Sequence, residues 1–197
     1  MTDKAKKIKK EILSWVIPLA IFGFLYVTGL HTHIAAGLQR AVVATGIIRP
    51  ETNLALEDSP QIDYNFKLRS SDGEDIPFTD LKGKVVFMNF WATWCPPCLA
   101  EMPDIHNLYE SVETENVVFV MVSRDDEFEK ATSFAAKKGY TFPIYQLVGP
   151  LPEIFSTGSI PTTFVISKTG KMALKKTGFA TYNTREFRDY LLTLANS

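Results

Sequence analysis

Cysteine and histidine are scarce in this chain of 197 residues, which contains two cysteines and three histidines. A small fold held together by disulfides needs more cysteines than this, so the fold must depend on a hydrophobic core. A zinc site needs more sulfur and nitrogen ligands than these few residues bring together, and His31 and His33 lie far along the chain from both cysteines. Covalent haem attachment requires a histidine directly after the second cysteine, where this chain has Leu99. We therefore predict no metal and no other cofactor.

The chain also lacks an excess of charge of either sign, because its formal net charge is −1. Such a balance gives no overall electrostatic attraction to nucleic acid or to anionic lipid. Hydrophobic residues make up 46% of the chain and charged residues 22%, which are ordinary values for a folded protein. The length fits one globular domain with an appendage, and we predict no nucleic-acid partner.

No charged residue occurs from Ile12 to Leu30, and five lysines precede this run within residues 1–10. A hydrocarbon core of about 30 Å needs roughly 20 apolar residues in a helix. We predict a cytoplasmic basic tail over residues 1–11 and a transmembrane anchor over 12–30, because positively charged tails stay in the cytoplasm. The remaining chain would then lie outside the cytoplasm, in a single-pass protein of the cell membrane.

Two alternatives to the anchor remain, a cleaved signal peptide and a buried helix of a soluble protein. The apolar region of a signal peptide usually has about 7–15 residues, fewer than here, and a soluble helix seldom follows so many lysines directly. We assign residues 31–59 to a juxtamembrane segment and linker. Within it, residues 34–48 are either a segment lying along the membrane surface or an ordinary linker helix.

Residues 60–197 have the pattern of an α/β domain. Nearly continuous apolar runs predict buried strands, alternation predicts a half-buried strand, and apolar residues at helical spacing predict amphipathic helices. The last helix is expected to begin with a cap formed by Asn183 and Glu186. We predict a mixed sheet with helices on both faces. Strand 85–91, the helix after residue 98 and strand 117–122 form a predicted βαβ unit, whose two strands should be parallel. The other expected elements are a strand 64–68, a return strand 76–78, a helix 126–138, a strand 164–166, its antiparallel partner 172–176 and a last helix after residue 183.

The two cysteines, Cys95 and Cys98, lie where a predicted buried strand ends and a helix begins. The free backbone N–H groups and the dipole at a helix N-terminus stabilise a thiolate and lower the pKa of a cysteine there. Pro96 suits the first helical turn, because its missing N–H would have had no partner within the helix. A purely structural disulfide is the alternative, but so short a loop would add little stability.

This placement predicts thiol–disulfide exchange. Cys95 would attack a partner disulfide as a thiolate, and Cys98 would then resolve the mixed disulfide. The reverse sequence would oxidise a partner instead, and the pattern of residues alone does not choose between the two directions.

Three segments together resemble the thioredoxin superfamily, and more closely its membrane-anchored TlpA/ResA-like thiol–disulfide oxidoreductases. They are Asn89–Cys98, Glu101–Pro103 and Ile160–Ile166. The resemblance runs from about residue 60 to the carboxyl terminus and implies a thioredoxin-like fold. It also implies that Pro161 follows a cis peptide bond and faces the cysteines. The residues that it implies to contact a protein client are Trp94, Pro96, Ile160 and Pro161.

Glu101 is the residue that the resemblance implies as proton partner of the cysteines. Thioredoxins proper have a buried aspartate where this chain has Asn89, and an amide cannot accept the proton of Cys98. If Glu101 is buried, desolvation would raise its pKa and allow proton exchange with the cysteines. The alternative is a surface glutamate that only benefits from the helix dipole.

Four functions compete on this sequence. The first is reduction of extracytoplasmic protein disulfides, for example in apocytochrome c, with a membrane-embedded thiol transporter as the implied electron donor. The second is oxidation or isomerisation of disulfides on the same side. The third is a thiol peroxidase, but Met88 and Ala92 occupy positions where such enzymes have proline and threonine. The fourth is a non-enzymatic membrane sensor or scaffold, against which two intact cysteines at a helix start argue.

Overall fold

A computed structural model describes residues 15–20, 24, 48–52, 56–112 and 116–197. The predicted basic tail, most of the predicted anchor over 12–30 and most of the segment 31–59 lie outside the described residues. Within the described ranges, no helix has both the length and the apolar character that crossing a membrane requires. The anchor therefore stays a prediction.

The described residues form one mixed sheet of seven strands. The strands are β1 Lys67–Ser70, β2 Asp75–Pro77, β3 Val85–Trp91, β4 Val117–Ser123, β5 Ile144–Val148, β6 Thr162–Ile166 and β7 Met172–Thr177. Their order in the sheet is β2-β1-β5-β4-β3-β6-β7. Strands β3, β4 and β5 are parallel to one another, and the other neighbours pair antiparallel. The predicted parallel pair β3–β4 and the predicted antiparallel pair β6–β7 are both confirmed.

Three α-helices follow the predicted positions closely: α1 Pro96–Ser111, α2 Phe128–Lys138 and α3 Arg185–Asn196. Helix α2 ends at Gly139 in a left-handed conformation (φ 72°), which glycine adopts without a steric cost. Two short 3₁₀ helices, Phe78–Leu81 and Glu153–Phe155, complete the described helical structure of the domain.

The start of α3 differs from the prediction. Thr184 is the N-cap, and its Oγ1 accepts a hydrogen bond of 3.2 Å from the backbone N–H of Phe187. The side chain of Asn183, the expected cap, instead accepts a hydrogen bond from the guanidinium of Arg188. The cap thus lies one residue later than expected, because the side chain of Asn183 is already engaged.

All three α-helices pack on the same face of the sheet, which we call the first face. Phe87 of β3 lies 6.2 Å, between ring centroids, from Phe187 of α3, and Trp91 lies 5.9 Å from Phe134 of α2. Met102 of α1 belongs to the same buried cluster. The central strands thereby hold the three helices, including the one that begins at the cysteines, against one core.

The opposite side of the sheet, which we call the second face, is covered by none of α1, α2 and α3, although the sequence predicts helices on both faces. The alternate side chains of β3, Met88 among them, pack there in a separate core. Phe66 stacks on Phe78 with ring centroids 4.2 Å apart, and Phe155 lies 5.6 Å from Phe66. In the described domain this face is therefore covered by the segment before β1 and by the two 3₁₀ helices, each too short to show a helical period in sequence.

Candidate active site

Strand β3 and helix α1 position the cysteine pair. All seven residues of β3 are buried, and the chain leaves the sheet after Trp91. Cys95 is the N-cap of α1, and its Sγ accepts a hydrogen bond of 3.3 Å from the backbone N–H of Cys98. Pro96 occupies the first turn. The sulfur thus lies against one of the free N–H groups that the sequence predicted for it.

Cys95 and Cys98 form a disulfide with a Cα–Cα distance of 5.3 Å. Cys95 is 4% exposed and Cys98 is 0% exposed, so only the first of them reaches the surface. The neighbouring Trp94 is 65% exposed. A bulky partner can therefore approach the sulfur of Cys95 but not that of Cys98.

A surface groove of about 530 Å³ lies beside Cys95 and is lined by residues from three parts of the chain. Trp94 and Pro96 come from the cysteine segment, Arg124 from the end of β4, and Ile160 from the loop before β6. The peptide bond between Ile160 and Pro161 is cis. The carbonyl oxygen of Ile160 lies 3.7 Å from Sγ of Cys95. Of the four residues expected to contact a client, three line this groove, whereas Pro161, the residue after Ile160, is buried.

Glu101 lies on α1, one turn after Cys98, and its side chain is fully buried. Its Oε1 accepts a hydrogen bond of 2.9 Å from Nδ2 of Asn89, and its Oε2 accepts one of 3.1 Å from the backbone N–H of Ala180. Burial raises the pKa of Glu101 from its usual 4.5 to about 8, and outweighs the two hydrogen bonds that lower it. Glu101 thus meets the condition of burial on which a role as proton partner depends, and it is not a surface glutamate.

A buried hydrogen-bond network extends from Glu101 to a tyrosine. Nδ2 of Asn89 also donates to Oγ1 of Thr163 at 2.9 Å, and the hydroxyl of Tyr182 donates to the same oxygen at 2.7 Å. Burial raises the pKa of Tyr182 well above its usual value, so the hydroxyl keeps its proton. Oδ1 of Asn89 is buried without a hydrogen-bond partner among the described residues. The Asn89 amide thus uses both N–H groups in the network, whereas the missing hydrogen bond of its carbonyl oxygen costs stability.

A second carboxylate on α1, Asp104, holds the loop that follows β7. Its Oδ2 accepts hydrogen bonds from the backbone N–H groups of Tyr182 and of Asn183, the latter at 2.9 Å. Burial raises the pKa of Asp104, and its charge contributes to raising that of Glu101. Sequence reasoning missed this residue, whose partners lie 78 and 79 positions along the chain.

Asp125, just after β4, fixes the loop that carries the cysteines. Its carboxylate accepts hydrogen bonds from the backbone N–H of Thr93 at 3.1 Å, from Oγ1 of Thr93 at 2.6 Å and from Oγ of Ser123 at 2.9 Å. The adjacent N–H of Arg124 donates to the carbonyl of Trp91 at 2.8 Å. These bonds join the ends of β3 and β4, and sequence reasoning identified neither Arg124 nor Asp125.

Residues 62–175 match the protein-family model described as the AhpC/TSA family. The chain is 36% identical over 118 residues to the thiol–disulfide oxidoreductase ResA of Geobacillus thermodenitrificans (strain NG80-2), covering 59% of this chain and 68% of that protein. It is 30% identical over 167 residues to the ResA protein of Geobacillus kaustophilus (strain HTA426), covering 84% of each.

Solved structures of other proteins are similar to this chain in fold. The crystal structure of StoA from Bacillus subtilis is similar with a TM-score of 0.55 and 27% identity, covering 66% of this chain and 98% of that one. A putative thiol:disulfide interchange protein DsbE from Chlorobium tepidum gives a TM-score of 0.60 at 24% identity, covering 72% and 99%, which supports the fold alone. Residues 62–175, which match the family model, include Cys95, Cys98 and Glu101.

Proposed function

This chain belongs to the AhpC/TSA family as a TlpA/ResA-like thiol–disulfide oxidoreductase, and from that premise we propose that it is a reductase of protein disulfides outside the cytoplasm. The observation that carries the proposal is the unequal access to the two cysteines, of which Cys95 is 4% exposed and lines the groove and Cys98 is 0% exposed. Cys95 meets solvent beside a groove, whereas Cys98 is buried one turn from Glu101. This arrangement separates a nucleophile for the client from a resolving thiol with a proton acceptor.

The proposed reaction begins with both cysteines reduced. The helix N-terminus stabilises the thiolate of Cys95, which attacks one sulfur of the client disulfide and expels the other as a thiolate. Cys98 then attacks the sulfur of Cys95 and releases the second client thiolate. Two electrons pass to the client, the client thiolates take up two protons, and the Cys95–Cys98 disulfide remains.

Glu101 is the proposed acceptor of the proton that Cys98 loses as it attacks. Its pKa of about 8 lies close to that of a free thiol, about 8.5, so a proton passes between them with little change in free energy. Asn89 holds the carboxylate in place by donating to it. Trp94, Pro96, Ile160 and Pro161 are the proposed contacts of the client chain beside Cys95.

The place of action is proposed from the amino-terminal sequence. The uncharged run 12–30 after five lysines supports a membrane anchor with the domain 60–197 outside the cytoplasm. A pair that must stay reduced there needs electrons delivered across the membrane, which a membrane-embedded thiol transporter would supply. Apocytochrome c before haem attachment is the client class that the family resemblance suggests.

The test is reduction of insulin disulfides by the full chain in detergent, with dithiothreitol as electron donor. We expect turnover by the wild-type protein and none by Cys95→Ser, and activity retained by that variant would rule out the mechanism. Equilibration with glutathione buffers tests the direction. A potential near about −270 mV supports a reductase, and one near about −120 mV supports the second candidate, an oxidase.

A further inference from the structure

One charged side chain lines the groove beside Cys95. Of the described residues that form this groove, Arg124 alone carries a charge, and the others are apolar or neutral, such as Trp94 and Ser159. The guanidinium group is exposed and forms no ion pair with any carboxylate of the described residues. A partner in the groove therefore meets a positive charge without an opposing negative one.

The backbone of Arg124 is fixed against the cysteine loop. Its N–H donates to the carbonyl of Trp91 at 2.8 Å, and the next residue, Asp125, holds the N–H and the hydroxyl of Thr93. The cysteine loop and the arginine thus belong to one hydrogen-bonded unit. The backbone from which the arginine side chain extends therefore keeps its position relative to the cysteine loop before a client binds, which lowers the entropic cost of placing the charge in the groove.

The acidic residues that follow Arg124 form no ion pair with it. The carboxylate of Asp125 is engaged by Thr93 and Ser123, and Glu127 pairs with Lys130 at 2.9 Å. Asp126 is exposed but is not among the residues that line the groove. The local segment is acidic overall, yet the side chain it directs to the groove is basic.

We propose that Arg124 is a specificity residue that binds a carboxylate of the client next to its disulfide, so that the protein favours disulfides flanked by acidic residues. The proposal rests on the proposed function, since it concerns the client of the same cysteine. Guanidinium binds carboxylate through paired N–H···O bonds, and a fixed charge also steers an oppositely charged partner to the site. Arg124 takes no part in the exchange of electrons.

The test uses three disulfide-bridged peptides that are identical except for Glu, Gln or Lys beside one cysteine. The full chain in detergent is reduced, freed of reductant and mixed with each peptide, and the second-order rate constant is measured at low salt. Each rate constant is divided by that of free dithiothreitol with the same peptide, which removes the peptide's own reactivity. We expect the wild-type protein to favour the Glu peptide over the Gln peptide about three- to tenfold, and the Lys peptide to be slowest.

Arg124→Gln should abolish the preference for the Glu peptide, and Arg124→Glu should reverse it in favour of the Lys peptide. The matched control is Arg185→Gln, an exposed arginine at the start of α3, which should keep the wild-type order. The Gln peptide measures the basal reaction of each variant, and the preference is the rate of the Glu or Lys peptide divided by that of the Gln peptide with the same variant. The basal rate should change little in Arg185→Gln. Added salt should reduce the wild-type preference, because exposed charges are screened.

Equal rates for the three peptides with the wild-type protein, or an unchanged preference in Arg124→Gln, would overturn the proposal for Arg124 while leaving the disulfide reductase intact. If the wild-type protein reduces none of the peptides, although dithiothreitol does, the proposed function itself fails. The two failures are therefore distinguishable in one set of measurements.

Discussion

The backbone N–H of Ala180 donates a hydrogen bond of 3.1 Å to Oε2 of Glu101, across 79 positions of the chain. The loop after β7 is thereby fixed to the cysteine helix, and Asp104 holds the same loop through Tyr182 and Asn183. The burial of the glutamate is thus a product of tertiary structure. Its raised pKa depends on contacts that a helix by itself would not make.

Replacing Glu101 with glutamine should change how stability depends on pH. The pKa of Glu101 is about 8 in the folded protein, against 4.5 as its usual value. Between these two pH values the folded state holds a proton that the unfolded state has lost. The free energy of unfolding should therefore fall as pH rises through this window, by at most about 1.4 kcal/mol per pH unit, and should level off above it. Urea denaturation of the oxidised protein at pH 5, 6, 7 and 8 measures this slope.

Glu101→Gln lacks this titrating group, so its free energy of unfolding should not show this fall with pH. The stability of the wild-type protein minus that of the variant should therefore shrink, or change sign in favour of the variant, as pH rises. Glu110→Gln is the matched control, because Glu110 lies on the same helix with its side chain exposed. That variant should retain the wild-type slope. A wild-type slope in Glu101→Gln as well would contradict the raised pKa.

Replacing Tyr182 with phenylalanine should shift the pH profile of insulin reduction to higher pH. The hydroxyl of Tyr182 donates to Oγ1 of Thr163. Nδ2 of Asn89 donates to the same oxygen and also to the carboxylate of Glu101. Without the hydroxyl of Tyr182, Asn89 is held less firmly, and its hydrogen bond, which lowers the pKa of Glu101, weakens. We expect a higher pKa for Glu101 and a loss of about 1 kcal/mol in the free energy of unfolding.

Tyr190→Phe is the control for lost stability alone. The hydroxyl of Tyr190 donates to the carbonyl of Ala173 at 3.0 Å and is not part of the network. This variant should lose similar stability and keep the wild-type pH profile. Identical profiles for both variants would show that Tyr182 has a structural role only.

Local sequence patterns predicted those strands and helices whose own residues show a clear apolar or capping pattern. The seven consecutive buried residues of β3 and the helix start at Cys95 are both visible in short stretches of sequence. Strand β5 was missed, because its run of five residues is short and is interrupted by Gln146. The arrangement of α1, α2 and α3 on one face also eluded prediction, because it depends on how the strands are ordered in the sheet.

The residues of the candidate site also divide into those that a local motif identifies and those that it does not. Cys95, Cys98 and Glu101 lie within one turn or two of each other on a single segment, where a motif and a family resemblance could identify them. Tyr182 and Asp125 were missed because their hydrogen-bond partners Asp104 and Thr93 lie 78 and 32 positions away along the chain. No local pattern records which distant loops will close over a buried side chain.

Replacing Trp94 with alanine should weaken client binding without weakening the fold. The side chain is 65% exposed beside Cys95, so its removal leaves no cavity, and stability should change by less than about 0.5 kcal/mol. A large aromatic surface beside a docking groove contributes to binding when a partner covers it. We expect the KM for insulin to rise several-fold with little change in kcat.

A small neutral aromatic disulfide provides the control for this variant, because it reacts at Cys95 without covering Trp94. Its rate constant should be nearly equal in the variant and the wild-type protein. A KM for insulin that stays at the wild-type value would remove Trp94 from the client surface.

Replacing Cys98 with serine should trap the client on Cys95. Cys95, which reaches the groove, can still attack a client disulfide, but no second thiol remains to resolve the product. The reduced variant should therefore accumulate a mixed disulfide with a disulfide-bridged peptide, seen as one added peptide mass by mass spectrometry without reductant. In Cys95→Ser the remaining cysteine is fully buried, so the adduct should form far more slowly. Equal trapping by the two variants would contradict this order of attack, because it would require Cys98 to be as accessible to a client as Cys95.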